Sequence, residues 1–249
     1  MVRPIAVNFL THSRGIKMLC FFKLIKNIVA LKKRYNMSIV KTIRFNYHYF
    51  DKDISWKLPV LISKNVNFLK MEGIVSVDDP SSKVLIGFTY ENSFQFCENE
   101  GKTNWYVAGN VSFGKNVLIG VGSKIVATAN GNIRFGDNFA ITAESSVISE
   151  KNIYFGKNCI VSWGVLVMDH DGHAIMDKSN GNVFNTAEDI IISDKVWLCC
   201  NVTVLKGTKI PKGCVVGAGA VLSSEYEAKN SIIVQPSESK IINNIRWFR

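Results

Sequence analysis

The sequence predicts an all-β solenoid, a chain wound into stacked coils with three flat sides each. Three observations point to it. Aliphatic or aromatic residues stand six apart at Phe113, Ile119 and Ile125, then at Phe135, Ile141 and Val147, then at Phe155, Val161 and Val167. After a long break the spacing returns through Ile192, Leu198, Val204, Ile210, Val216 and Leu222, fifteen sides in all. The position four after each is mostly small or β-branched, as at Val117, Ser123, Ala129, Ser145, Cys159, Val165, Val196, Val202, Thr208, Cys214 and Ala220. Finally, Phe113-Gly-Lys-Asn, Phe135-Gly-Asp-Asn and Phe155-Gly-Lys-Asn repeat one phrase. A period of six fits neither a helix nor a simple alternating hairpin. It fits flat sides of about six residues, each inward side chain resting on its counterpart one coil away. The small residue four later suits a tight corner, where glycine or asparagine supplies unusual backbone angles.

The other elements follow in chain order. Residues 1–40 are basic and apolar, and Gly15 to Arg34 reads GIKMLCFFKLIKNIVALKKR without a single acid. This stretch predicts a helix. Such a helix either lies on anionic lipid or packs on the main domain, and Met37 behind it is a possible alternative start. Residues 41–110 predict an irregular β region. Strand-forming stretches run from Thr42 to Tyr49, Leu58 to Phe68, Gly73 to Val77 and Val84 to Thr89, with a turn at Asp78-Asp79-Pro80-Ser81-Ser82. Ser93 to Trp105 reads as loop and edge strand. The solenoid proper covers 111–226, and 227–249 form a tail.

The long break, 168–191, is a loop protruding from the solenoid. It opens Met168-Asp169-His170-Asp171-Gly172-His173-Ala174-Ile175 and holds two of the four histidines of the chain. A neutral imidazole accepts a proton near neutral pH, and a nearby carboxylate fixes its tautomer. A chemically loaded loop on a regular scaffold is the usual form of an active site.

The repeat resembles that of the hexapeptide-repeat acyltransferases, which build a left-handed parallel β-helix. The likeness runs from about Val111 to Leu222 and is closest to enzymes that O-acetylate bacterial surface polysaccharides. Ser162-Trp163, the His170–His173 loop, Asp194-Lys195-Val196-Trp197-Leu198 and Val204-Leu205-Lys206-Gly207 carry it, with the tail Asn243-Asn244-Ile245-Arg246-Trp247. The resemblance implies that His173 deprotonates a sugar hydroxyl, which then attacks the thioester of acetyl-CoA. A positioned base contributes roughly 10²–10⁴-fold. Asp171 is placed to orient the ring, although a backbone carbonyl can do the same, and Gly172 lets the loop turn. Trp197, by the same resemblance, lies beside the thioester and acceptor. On the loop, His170 could bind substrate, contact CoA phosphate or stay solvated, Asp169 could meet the acceptor or cap and stiffen the loop, and Asn185 and Lys178 could contact acceptor sugar or CoA. The implied acetyl-CoA lining is Cys200, Ala218, Gly219, Ser223 and Lys240. Here Cys199-Cys200 replaces the family's small residues, and Gln235-Pro236-Ser237-Glu238-Ser239-Lys240 replaces its usual closing turn. The family also implies a homotrimer. Carbonic anhydrases that share this fold hold zinc with three histidines. The remaining histidines, His12 and His48, lie outside the repeat, so no metal is expected.

Composition bounds the rest. Of 249 residues, 47% are hydrophobic, enough for a large core, and the net charge is +10. That balance favours anionic partners: phosphate-bearing cofactors, nucleic acid or an acidic lipid surface. No nucleic-acid motif, phosphate-binding glycine loop or Gly-x-Ser-x-Gly elbow occurs. The six cysteines form no C-x-x-C pair and read as reduced thiols. No apolar stretch is long enough to span a bilayer and no signal peptide is evident. The expectation is therefore a cytoplasmic enzyme, with contact at the inner membrane face a further possibility.

Overall fold

A computed structural model describes residues 25, 26, 28–90 and 101–234. Three parallel sheets form the walls of a prism. The first holds β1 (Val60–Ile62), β4 (Val84–Phe88), β7 (Val117–Val121), β10 (Ala140–Ala143), β13 (Ile160–Val161), β16 (Trp197–Leu198), β19 (Val215–Val216) and β21 (Ile232–Ile233). The second holds β2 (Val66–Met71), β5 (Thr103–Val107), β8 (Lys124–Ala127), β11 (Ser146–Ser149), β14 (Leu166–Met168), β17 (Thr203–Leu205) and β20 (Val221–Leu222). The third holds β3 (Ile74–Val77), β6 (Asn110–Phe113), β9 (Asn132–Phe135), β12 (Asn152–Phe155), β15 (Ile190–Ile192) and β18 (Lys209–Ile210). Successive strands visit the sheets in rotation, so one coil is one strand from each. This is the predicted parallel β-helix.

The six-residue pattern is the core. All fifteen residues that carry it are at most 2% exposed, and the register stacks like on like: Ile119 on Ile141, Ile125 on Val147, Phe113 on Phe135 on Phe155. The three phenylalanine rings stack with centroids 5.5 Å apart at both steps. Phe139, which the period does not single out, fills a corner against Phe135 and Phe155. Ala129 departs from its predicted buried corner and is exposed, because residues 128–131 make a wider turn. The repeated phrase marks one turn: Asn116, Asn138 and Asn158 all have φ of 54–58° and their side chains hydrogen-bond in a row. Asparagine tolerates that left-handed conformation better than other side chains.

Three findings differ from expectation at the N-terminal side. The solenoid starts at β1, two coils before residue 111. Bulges at Phe68/Lys70 and Ile86/Phe88 hide the period there. β5 is an interior strand between β2 and β8, not an edge. Thr42 to Tyr49 is helix, not strand. Residues 28–35 form α1, followed by α2 (Ile39–Tyr49) and α3 (Lys52–Ser55). Ser38 caps α2, and Thr42, Phe45, Asn46 and Tyr49, spaced three and four apart, share its inner face. Phe45 plugs the end of the core, its ring 5.3 Å from that of Trp105. Asn46 gives its amide N–H to Val60 O and accepts from Val60 N, while Thr42 Oγ1 accepts from Ile62 N. Side chains of α2 thereby complete the hydrogen bonding of edge strand β1.

Toward the C-terminus the first sheet continues past the predicted limit of 226 to β21. Residues 1–24, 27, 91–100 and 235–249 lie outside the described residues, and with them more than half of the predicted Gly15–Arg34 helix, Lys240 and the Asn243–Trp247 tail. Among the described residues, no helix is long and apolar enough to cross a membrane.

Candidate active site

The corner from the second to the third sheet takes two residues after β11 but all of 169–189 after β14. A departing loop strips the coil below of carbonyl partners, and Asp169 replaces them. Met168 pairs with Ile148, so Asp169 stands over Ser149, fully buried. Its Oδ1 accepts from Glu150 N at 2.7 Å, and its Oδ2 from Lys151 N at 2.9 Å and Ser149 Oγ at 2.7 Å. Asp169 therefore roots the loop rather than lining the cavity above it.

His170 follows directly. Its ring is largely buried, with Nδ1 3.1 Å from Asp169 Oδ1 and Nε2 3.9 Å from Glu150 Oε2. Every other contact of Asp169 is a donor, so we assign the proton of this bond to Nδ1, which leaves Nε2 toward Glu150. Gly172 turns the chain with φ +77°, and nothing lies within 4 Å of where a Cβ would stand. His173 emerges beyond it, exposed, and its ring makes no hydrogen bond among the described residues.

Two further side chains brace this turn. Asn185 donates to Asp171 Oδ2 at 2.9 Å and to His173 O at 2.8 Å, and accepts from Ile175 N at 2.6 Å. Lys206 donates to Asp171 Oδ2 at 2.6 Å. The Lys206 bond, helped by Asn185, holds the Asp171 carboxyl below the ordinary carboxylate range. Asp171 thus braces the loop and makes no bond to the His173 ring in this chain. Asn185 likewise spends its amide inside the loop. Glu150, His170, Asp171, His173 and Asn185 line one cavity of about 320 Å³. Beyond it the loop ends in a hairpin, where Met176 bridges Val183; Lys178 is exposed at its tip.

The other predicted residues lie elsewhere. Trp197 sits on the outer face of the first sheet, about half exposed, its indole N–H donating to Ser162 Oγ at 3.0 Å. Cys200, Ala218 and Gly219 gather at the corner between the first and second sheets, where Gly219 N donates to Cys200 O at 3.0 Å. Nothing lies within 4 Å of where a Cβ would stand on Gly219. Burial, then Cys200, pushes the Cys199 thiol up. Ser223 follows β20 in line with Leu205 and Met168. One chain therefore does not unite the His173 corner with the Cys200 corner. Lys206 and Glu150 had no predicted role. The strand register could have found both, since it sets Lys206 over Asp169 and Asp169 over Ser149. Among the described residues, no group of three or more His, Cys, Asp or Glu is placed to hold a metal ion.

No protein-family model matches the chain. Its sequence is 30% identical over 138 residues to WbbJ of Escherichia coli strain K12, named for O-acetyl transfer in lipopolysaccharide biosynthesis, covering 52% of this chain and 70% of that one. The chain belongs to the bacterial polysaccharide O-acetyltransferases. A second member, the polysialic acid O-acetyltransferase of Escherichia coli O1:K1 / APEC, is 31% identical over 127 residues, half of this chain and 41% of the relative. Among solved structures, the polySia-specific acetyltransferase NeuO aligns with 22% identity and a TM-score of 0.46 over 75% of this chain and 90% of that one. In this O-acetyltransferase the prism is the left-handed β-helix of the family, and the His173 loop, 169–189, is the longest connection between its strands among the described residues.

Proposed function

We propose that this O-acetyltransferase moves acetyl from acetyl-CoA to a sugar hydroxyl of a bacterial surface polysaccharide, with His173 as general base. The observation that carries the reading is a free imidazole on a loop fixed from three sides, by Asp169 below, Asn185 within and Lys206 above. A ring nitrogen of His173 takes the hydroxyl proton as the oxygen bonds to the thioester carbonyl carbon. The C–S bond then breaks, and the imidazolium returns the proton to the thiolate. His173 thus ends the cycle neutral. Such a step belongs in the cytoplasm, where acetyl-CoA is made.

The same reading includes a homotrimer. What supports it is the split of the site between two corners and the character of the faces. On the first sheet the outward column Ala140, Ile160, Trp197 and Val215 is apolar, as is one of the two on the second, Val126, Ile148, Met168 and Leu205, beside the polar Asn104, Lys124 and Ser146. The third sheet instead shows Asn110, Asn132 and Asn152 in a row. A second copy would bring its Trp197 and Cys200 edge to this His173.

The test is free-CoA release from acetyl-CoA with a panel of oligosaccharide acceptors. Acceptor-dependent release should fall at least 10²-fold in His173→Ala. Release that survives and is lost in His170→Ala would move the base to His170, which the buried Asp169 contact favours.

A further inference from the structure

The net charge of this chain is not spread over it. Residues 1–64 hold 13 of the 30 basic residues and 2 of the 20 acids, a net +11; the remaining 185 residues carry −1. Among the described residues, 25–64 hold nine basic residues and two acids while the rest hold 14 of each, so the described solenoid is neutral and the described excess lies at its N-terminal end. There α2 seals the core, and its outer stripe is Val40, Arg44 and Tyr47, at i, i+4 and i+7 opposite the buried Thr42, Phe45 and Asn46. Val40 is 76% exposed and Tyr47 46%. α3 packs beside α2 and ends at Trp56, 41% exposed. Arg44 and Lys52 of the cap and Lys33 of the adjoining α1 are exposed, and none of them forms an ion pair among the described residues, although exposed Asp51 and Asp53 flank Lys52.

We propose that the α2 cap is a docking surface for an anionic lipid bilayer. Cations interleaved with an exposed aliphatic side chain, a tyrosine and a tryptophan match the headgroup boundary, where cations meet lipid phosphate and amphipathic rings settle. A nucleic acid would use the cations and could stack a base on Trp56, but leaves no role for exposed Val40. The cap also sits well for the reaction. The coil that carries the His173 loop is four strand spacings from β1, roughly 19 Å along the axis. Docking by α2 would stand the prism on the membrane with its site clear of the surface.

The test is flotation of the full chain with vesicles of phosphatidylcholine alone or with about a third phosphatidylglycerol, at low and high salt. The wild type should float with the anionic vesicles only and lose binding as salt rises. Each surface cation contributes roughly fivefold, so the triple variant Lys33→Gln, Arg44→Gln, Lys52→Gln should bind about 10²-fold more weakly. Val40→Ser with Trp56→Ser should weaken binding without changing its salt dependence. Unchanged thermal unfolding of both variants shows that the cap is intact. Equal flotation with neutral vesicles, no flotation of the wild type, or undiminished binding by the folded triple variant would overturn the proposal. So would displacement of bound vesicles by duplex DNA at equal charge.

Discussion

Replacing Asp169 by asparagine is the sharpest test of how the loop is held. The carboxylate accepts from three protein donors besides His170, and no water reaches it, since its exposure is zero. Asparagine keeps one acceptor and turns an NH2 toward the other position. In the less costly orientation the NH2 faces the Ser149 hydroxyl, which can rotate to accept, and Lys151 N–H, which cannot. One buried backbone donor is orphaned, at about 1–3 kcal/mol, and the remaining bonds lose their charge assistance, at about another 1 kcal/mol. The loop root should therefore weaken by about 3 kcal/mol, or roughly 10²-fold in local opening. Amide hydrogen exchange followed by mass spectrometry reads this directly. Protection at Glu150 and Lys151 should fall by that factor while Leu118 and Ala140, in the first sheet, stay protected. CoA release should fall in parallel, because the turn that presents His173 starts here. Wild-type protection at both amides in Asp169→Asn would refute the claim that this carboxylate stands in for absent carbonyls.

Three other outcomes follow from the same geometry. Gly172→Ala meets no side chain but must hold φ +77°, so about 1–2 kcal/mol of local strain should lower kcat while the melting temperature stays within a degree or so. Phe135→Ala opens the middle of the phenylalanine stack and should cost about 3–5 kcal/mol in urea unfolding, with loop exchange unchanged. Asp171 has a depressed pKa, so its bond to Lys206 is fully present above the ordinary carboxylate range and is lost only as pH falls through the depressed value. Between about pH 5 and 7 the rate profiles of wild type and Lys206→Met should therefore run parallel, with the variant lower throughout. A step above pH 5 in the wild type that the variant lacks would show that the pair titrates there.

What was legible in the sequence was what repeats. The solenoid interior asks one thing of every sixth residue, and fifteen residues answer in the open. The two coils before Val111 answer less plainly, because bulges at Phe68 and Ile86 shift the spacing by a residue. Thr42 to Tyr49 misled for a different reason. Phe45 and Tyr49 favour strands on propensity, but Ser38 starts a helix and the open end of the core rewards a helical face. In the loop, residue types pointed to His173 at once, but partners did not follow from types. Asp171, expected at the imidazole, is taken by Lys206, which stands 35 positions later and is its neighbour only through the coil. Asp169, read either as an acceptor contact or as a stiffener of the loop, is the stiffener, held by backbone donors that the departing loop exposes. Both facts depend on register, which emerges only when the coils are stacked.

The place where the loop leaves has a consequence for how such a chain can change. Paired residues in the third sheet are 20 apart between Asn132 and Asn152, and 37 apart between Ile153 and Ile190. Closing the longer span costs only about 0.5 kcal/mol more chain entropy, because the dependence on length is logarithmic. The next coil lands on the same register whether the excursion is short or long. The hairpin beyond His173 can therefore be lengthened, shortened or exchanged at small expense to folding, while Asp169 at the loop's root and Lys206 on the next coil keep the His173 turn in place. Loop length and architectural stability are thus inherited separately in this chain, and exchanging the 176–183 tip between relatives should leave the urea unfolding of the prism unchanged.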